Sequence, residues 1–156
     1  MNTEKQRFSV SYAKDAVFTQ GLRDFLEYRD LGIAQATHGR FRAHLLRVKK
    51  DRKGEQDMHT TGLHQHLCEF QMFYVLKGWV RFVYEGQEGE LTFHAGDCVL
   101  QPAAIVHNEL TCSDDLEILE IYSHLFCTSS QRTGRLIKSD VDPMLSFIAS
   151  FYSPLK

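Results

Sequence analysis

From Phe41 onward, apolar and polar residues alternate in short runs, and turn residues separate the runs about every eight to twelve positions. Alternation with period two is typical of strands that bury one face. Lys77-Gly78 lies between two such runs and predicts a tight hairpin. The predicted strands are 41–48, 70–76, 79–85, 90–93, 98–101, 105–111 and 116–125. The pattern therefore predicts an all-β protein, built as an antiparallel β-barrel or sandwich.

The two ends of the chain follow other patterns. Near the C-terminus, Asp142-Pro143 is typical of a helix start, and the apolar residues that follow recur at helical spacing (Met144, Phe147, Ile148 and Phe151). The segment 25–31 fits a helix or a strand, and we favour an extended arm. We predict an N-terminal arm over 1–40 that packs on the barrel or on a partner subunit, a barrel over 41–127, and a C-terminal segment with a short helix over 128–156.

Length and charge restrict the class of protein. A chain of 156 residues suits one domain with its own core, and a net charge of -2 gives no reason to expect nucleic acid as a partner. No apolar segment resembles a secretory signal or is long enough to span a bilayer, so we expect a cytoplasmic protein without a membrane partner. The cysteines form no CxxC pair and are expected as reduced, buried thiols (Cys68, Cys98, Cys112 and Cys127).

His64-Gln65-His66 is the main candidate for chemistry. Histidines at i and i+2 of a strand point to the same face, and His107 follows on a later strand behind a glycine and proline turn. Three imidazoles from two strands can bind one divalent metal and leave open positions for water or substrate. The alternative is that these histidines are polar residues at a barrel mouth that bind nothing.

Two spaced motifs surround these histidines. The first is His64-x-His66-x4-Gln71-x6-Gly78, and the second is Gly96-x5-Pro102-x-Ala104-x2-His107. Together they resemble the two motifs of the cupin superfamily, over about residues 62–111. The resemblance implies a jelly-roll-like double-stranded β-helix that holds one divalent ion (Fe, Mn, Zn or Ni). It also implies that His64, His66, His107 and Gln71 are the metal ligands.

Gln71 stands where that family usually has a glutamate ligand. A neutral amide leaves the full +2 charge on the site, which favours an anionic or oxygen-chelating ligand. Side chains alternate between the two faces of a strand, so Glu69, at an odd offset from His66, should point away from the histidines, which is against its acting as a substitute carboxylate. Gln71 is also at an odd offset from His66, and it points inward only if the strand breaks between the two residues. Ala104 replaces a turn glycine of the family, a change we expect the turn to tolerate.

Glu109 lies two residues after His107 and shares its inward face on a regular strand. It is the candidate catalytic residue, as an orienter of an imidazole or as a general base, and the alternative is a rim carboxylate. The other histidines are expected as turn residues, exposed loop residues or satisfied core residues (His38, His44, His59, His94 and His124).

Three functions remain open at this point. The first is a metal-dependent dioxygenase acting on a small oxygenated or phenolic molecule. The second is a metal-dependent isomerase or lyase acting on a sugar acid or hydroxy-carbonyl compound, and the third is a non-catalytic module that binds a small ligand. The fold does not separate them, because function belongs to the site. We also expect a homodimer, since the arm and the C-terminal helix exceed what one small barrel needs.

Overall fold

The structure is a computed structural model that describes residues 4–21, 23–58, 62–123 and 129–131. Its strands are β1 (Thr19–Gln20), β2 (Leu26–Asp30), β3 (Phe41–Val48), β4 (Gln56–Asp57), β5 (His64–His66), β6 (Gln71–Lys77), β7 (Trp79–Tyr84), β8 (Leu91–His94), β9 (Cys98–Leu100), β10 (His107–Cys112), β11 (Glu117–Ser123) and β12 (Ser129–Gln131). One four-residue helix, Ile33–Ala36, and one 3₁₀ turn, Ala13–Asp15, complete the elements of the described residues.

The strands form two antiparallel sheets. The first has the order β1-β2-β3-β11-β6-β9, and the second has the order β12-β5-β10-β7-β8, with β4 added to β10. Within the described residues, strand pairing stays inside each sheet, so hydrogen bonds do not close the assembly into a barrel. The result is an all-β fold of two sheets that enclose one interior.

The interior has an apolar half and a polar half. The apolar half is one cluster of buried side chains that includes Leu26, Val75, Val80 and Leu116. The polar half carries buried or largely buried histidines, glutamines and carboxylates, namely His44, His64, His66, Gln71, His107, Glu109 and Glu120. Since burying polar groups costs free energy unless they have partners, the polar half is the candidate location of a functional site.

Most sequence-predicted strands are confirmed to within a few residues, and β3 has the predicted bounds. The segment 25–31 contains a strand, β2, and β4 lies between the predicted strands 41–48 and 70–76. The predicted C-terminal helix lies outside the described residues, and the division into arm, barrel and C-terminal segment stays a prediction. No helix within the described residues is long and apolar enough to cross a membrane.

The expectation of four reduced cysteines is wrong for Cys68. Cys68 is disulfide-bonded, whereas Cys98 and Cys112 are free thiols. The absence of a CxxC pair does not exclude a disulfide, because a disulfide joins residues that are close in space at any separation in sequence.

Candidate metal centre

The three predicted histidines meet in the polar half. His107 of β10 pairs directly with His64 of β5, and His66 lies two residues further along β5. The ring centroids of His64 and His107 are 4.4 Å apart, and that of His66 lies 4.9 Å from His64 and 5.2 Å from His107. One nitrogen from each ring lies within 4.8 Å of the other two. This spacing lets one ion contact all three imidazoles.

Backbone carbonyls fix the orientation of two of these rings. The Nδ1 atom of His64 lies 2.8 Å from the Gly62 carbonyl oxygen, and Nδ1 of His107 lies 3.0 Å from that of Ile105. Nδ1 is therefore the protonated nitrogen, and Nε2 keeps the lone pair that a metal needs. Burial lowers the pKa of His107 to about 4, which keeps its ring neutral at neutral pH. The donor set fits a divalent transition metal.

Gln71 is the first residue of β6 and is buried. The chain leaves the second sheet after His66 and enters the first at Gln71, which is the break that strand parity required. The Nε2 atom of Gln71 donates a hydrogen bond of 2.7 Å to Oε1 of Glu120. Glu69 is exposed, as parity indicated. Gln71 thus reaches the polar half, although from the sheet opposite the histidines.

Glu120 links Gln71 to His44. Its Oε2 atom lies 2.8 Å from Nε2 of His44, which faces it across the β3–β11 pair. Burial acts to raise the pKa of Glu120, but its interactions with His44, with the amide of Gln71 and with His66 outweigh burial, so the pKa is lowered. The carboxylate is therefore ionised at neutral pH.

Glu109 lies beside the histidines on β10. Its Oε2 atom is 4.0 Å from Nε2 of His64 and 3.3 Å from Nη2 of Arg23, and Arg23 also donates to the Met58 carbonyl at 3.0 Å. Burial opposes ionisation of Glu109, but the charge of Arg23 and the electrostatic influence of the neighbouring His64 and His107 side chains outweigh it and lower its pKa to about 2. The candidate catalytic residue is thus a fixed carboxylate next to the metal-binding nitrogens.

The remaining histidines of the described residues do not join the three-imidazole cluster. His94 is exposed and His38 lies in a turn with positive φ, as expected, and His44 is a buried residue with a carboxylate partner. His59 and His124 lie outside the described residues. Sequence reasoning missed Arg23 and Glu120. For Glu120 a signal existed, because it is a charged residue in the inward, otherwise apolar phase of β11.

Comparison with known proteins places this geometry in context. Residues 55–122 match a family model described as a Cupin domain. No protein with a curated description matches the chain.

Several solved structures match closely in shape. An RmlC-like cupin from Shewanella frigidimarina is 18% identical, with 78% of this chain and 95% of that chain covered at a TM-score of 0.56. An RmlC-like cupin from Ralstonia eutropha is 12% identical, with 94% and 87% covered at a TM-score of 0.59. The polyketide cyclase RemF from Streptomyces resistomycificus is 16% identical, with 94% of both chains covered at a TM-score of 0.57. At these identities the likeness shows the fold alone.

Proposed function

This chain belongs to the cupin superfamily, and we propose that it is a metal-dependent enzyme acting on a small molecule that chelates metal through oxygen. One observation carries the proposal. The carboxylate of Glu109 lies 4.0 Å from Nε2 of His64, beside three imidazole nitrogens that lie within 4.8 Å of one another. A binding module has no need of an ionised carboxylate at this position.

His64, His66 and His107 would hold the ion, with the amide oxygen of Gln71 as the proposed fourth ligand. When bound, a divalent ion supplies Lewis-acid polarisation of a carbonyl or enolate oxygen. All four ligands are neutral, so the charge of the ion is not reduced by its ligands. This favours substrates that bind through carboxylate, hydroxyl or carbonyl oxygens.

Glu109 would accept a proton from the substrate carbon next to the polarised group. Arg23 keeps the carboxylate ionised and in place, with Nη2 at 3.3 Å. A carboxylate with a low pKa is a weak base, and it suits a proton that the polarised neighbouring group has already made acidic. The reaction class that this arrangement supports best is a redox-neutral isomerisation or elimination on a hydroxy-carbonyl compound or sugar acid.

A dioxygenase reaction is the second candidate. It is favoured by the placement of His64, His66 and His107 on one sheet, so that the three imidazoles would hold the ion from one side. If the ion were iron, it would supply O₂ chemistry next to the substrate oxygens. None of the proposed metal ligands is a carboxylate, and this makes the dioxygenase a weaker candidate than the isomerase or lyase.

The first test is the metal content of protein purified without a His-tag. About one ion per subunit in the wild type and almost none in His64→Ala/His66→Ala would support the site. A wild type that carries no metal and takes none up would overturn the proposed function.

The second test separates the reaction classes. Metal-stripped protein is reloaded with Zn²⁺ or Fe²⁺ and incubated in D₂O with a panel of 2-hydroxy and 2-keto acids, in one set of samples without O₂ and in a parallel set with O₂. Proton NMR follows exchange of C–H for C–D in the first set, and an oxygen electrode follows O₂ in the second. Exchange with Zn²⁺ that is lost in Glu109→Gln, at unchanged metal content, supports the isomerase or lyase. Consumption of O₂ that requires Fe²⁺, without exchange in the anaerobic set, contradicts it in favour of the dioxygenase.

We also propose that the chain forms a homodimer through its N-terminal arm. Phe8 is 95% exposed and Val17 is 73% exposed in the single chain, an unusual state for large apolar side chains. The backbone of the arm is fixed to its own subunit, since Arg7 donates to the Ala36 carbonyl at 2.9 Å. Light scattering should give the mass of a dimer, and Phe8→Glu/Val17→Glu should shift it to the monomer; a monomeric wild type would contradict the proposal.

A further inference from the structure

Gln71 and Glu120 lie on paired strands and are hydrogen-bonded to each other. Tyr122 of β11 pairs with Gln71 of β6, and Glu120 lies two residues from Tyr122 on the same inward face. This register makes Gln71 and Glu120 diagonal neighbours, a distance that long side chains can bridge. The amide of Gln71 donates to Oε1 of Glu120 at 2.7 Å, so the contact follows directly from the strand pairing.

Glu120 determines which way the Gln71 amide faces. An oxygen of Glu120 accepts its hydrogen bond from the NH₂ group of the amide, at 2.7 Å, so the NH₂ group is the side of the amide that faces Glu120. The amide oxygen is then on the branch that points away from Glu120. His44 holds the second oxygen of the carboxylate at 2.8 Å, which leaves Glu120 little freedom to rotate.

We propose that Glu120, held by His44, is a positioning residue that presents the amide oxygen of Gln71 to the metal. In this arrangement the carboxylate of Glu120 is hydrogen-bonded to the proposed ligand Gln71, whereas the carboxylate that the first motif usually carries is itself the ligand. The inference rests on the proposed metal site, and it explains why position 71 is glutamine. Glutamate at 71 would place two carboxylates at hydrogen-bond distance, where they cannot both stay ionised.

The experiment is a cycle of three variants, namely Glu120→Gln, Gln71→Glu and Gln71→Glu/Glu120→Gln. Each tag-free protein is stripped with EDTA and titrated with Co²⁺ as the probe, with the visible absorption spectrum recorded at saturation. The melting temperature of each metal-free protein is the second readout. Glu117→Gln removes a carboxylate from the outward face of the same strand and is the matched control.

Glu120→Gln should weaken Co²⁺ binding by about 10-fold or more and change the absorption spectrum, because outer partners of ligands typically contribute 10–100-fold. Glu117→Gln should leave both unchanged. Gln71→Glu should lower the melting temperature of the metal-free protein, and the double variant should restore it, because it again pairs one amide with one carboxylate. If Glu120→Gln does not fold, the recovery of both readouts in the double variant carries the test.

Two results would overturn the positioning role while leaving the metal site intact. One is Co²⁺ binding by Glu120→Gln with the affinity and spectrum of Glu117→Gln. The other is a double variant as unstable and as weak in binding as Gln71→Glu. A wild type that binds Co²⁺ no better than His64→Ala would overturn the proposed function itself, and the positioning role with it.

Discussion

His64 and His107 face each other across the β5–β10 pair, and each ring is held by the carbonyl oxygen of the residue two positions before it. The hydrogen bonds are 2.8 Å to Gly62 and 3.0 Å to Ile105. Since the same contact recurs on both strands, the two Nε2 atoms converge before any ion arrives. A site that is organised in advance does not have to order its ligands on binding.

We expect His107→Asn to abolish metal binding. The shorter amide cannot place a donor where Nε2 stood, and the two remaining histidines with the amide of Gln71 hold a divalent ion poorly. Elemental analysis of tag-free protein should find almost no metal in the variant. His94→Asn, at the exposed last residue of β8, is the control and should keep the wild-type content. Full metal content in His107→Asn would show that the ion binds elsewhere.

The pair of Arg23 and Glu109 should show strong coupling in stability. Both side chains are largely buried, and their closest atoms are 3.3 Å apart. Removing one partner leaves an uncompensated charge, so Glu109→Gln and Arg23→Met should each lower the unfolding free energy of the metal-free protein by about 3 kcal/mol. Urea denaturation measures the change.

The control for that pair is the exposed ion pair of Arg52 and Asp24, whose atoms are 2.7 Å apart. Asp24→Asn should change the unfolding free energy by no more than about 0.5 kcal/mol, because water screens exposed pairs. The double variant Arg23→Met/Glu109→Gln should lose less than the sum of its single variants, by about 1 kcal/mol or more. Strictly additive losses would show that the two charges do not stabilise each other.

The strands could be predicted from the sequence because each one buries a single face. Buried and half-buried positions alternate along β7, and along β3 from His44 onward, and the predicted bounds match the observed ones closely. The order of the strands could not be predicted in the same way. β6 pairs with β11 and β9, which are far from it in sequence, and no local pattern encodes such partners.

The histidine cluster was also predictable, because the spacing of His64 and His66 acts within one strand. Arg23 was not, since it reaches Glu109 from a loop 86 residues away in sequence. Gln71 shows the limit of parity arguments. Counting from His66 failed to place it because the chain changes sheets between the two residues.

Ala104 occupies the turn position where the family has glycine, and its φ is 63°. This left-handed conformation costs a residue with a Cβ atom about 1–2 kcal/mol. We therefore expect Ala104→Gly to stabilise the protein by about 0.5–1 kcal/mol, after subtracting the entropy that glycine adds to the unfolded chain. The backbone hydrogen bond from Ala104 to the His66 carbonyl, 2.8 Å long, remains, so metal affinity should not change.

Gly78→Ala, at the glycine of the first motif, should have the opposite effect on stability. Its φ is 70°, and an added Cβ atom would overlap Ser113 Oγ and Asp115 Oδ1. Strain and overlap together should lower the unfolding free energy by about 2 kcal/mol or more. A destabilised Ala104→Gly, or an unaffected Gly78→Ala, would contradict the backbone conformations of these turns.

The two free cysteines of the described residues should differ sharply in reactivity. Cys98 is exposed, whereas Cys112 is fully buried and burial raises the pKa of its thiol to about 12. Only a thiolate that solvent can reach attacks an aromatic disulfide reagent at a useful rate. Without reductant, the native protein should therefore show a fast-reacting thiol that Cys98→Ser removes and Cys112→Ser leaves. Cys112 should react only after unfolding in urea, and rapid labelling of Cys112 in the folded Cys98→Ser variant would mean that the apolar half opens under native conditions.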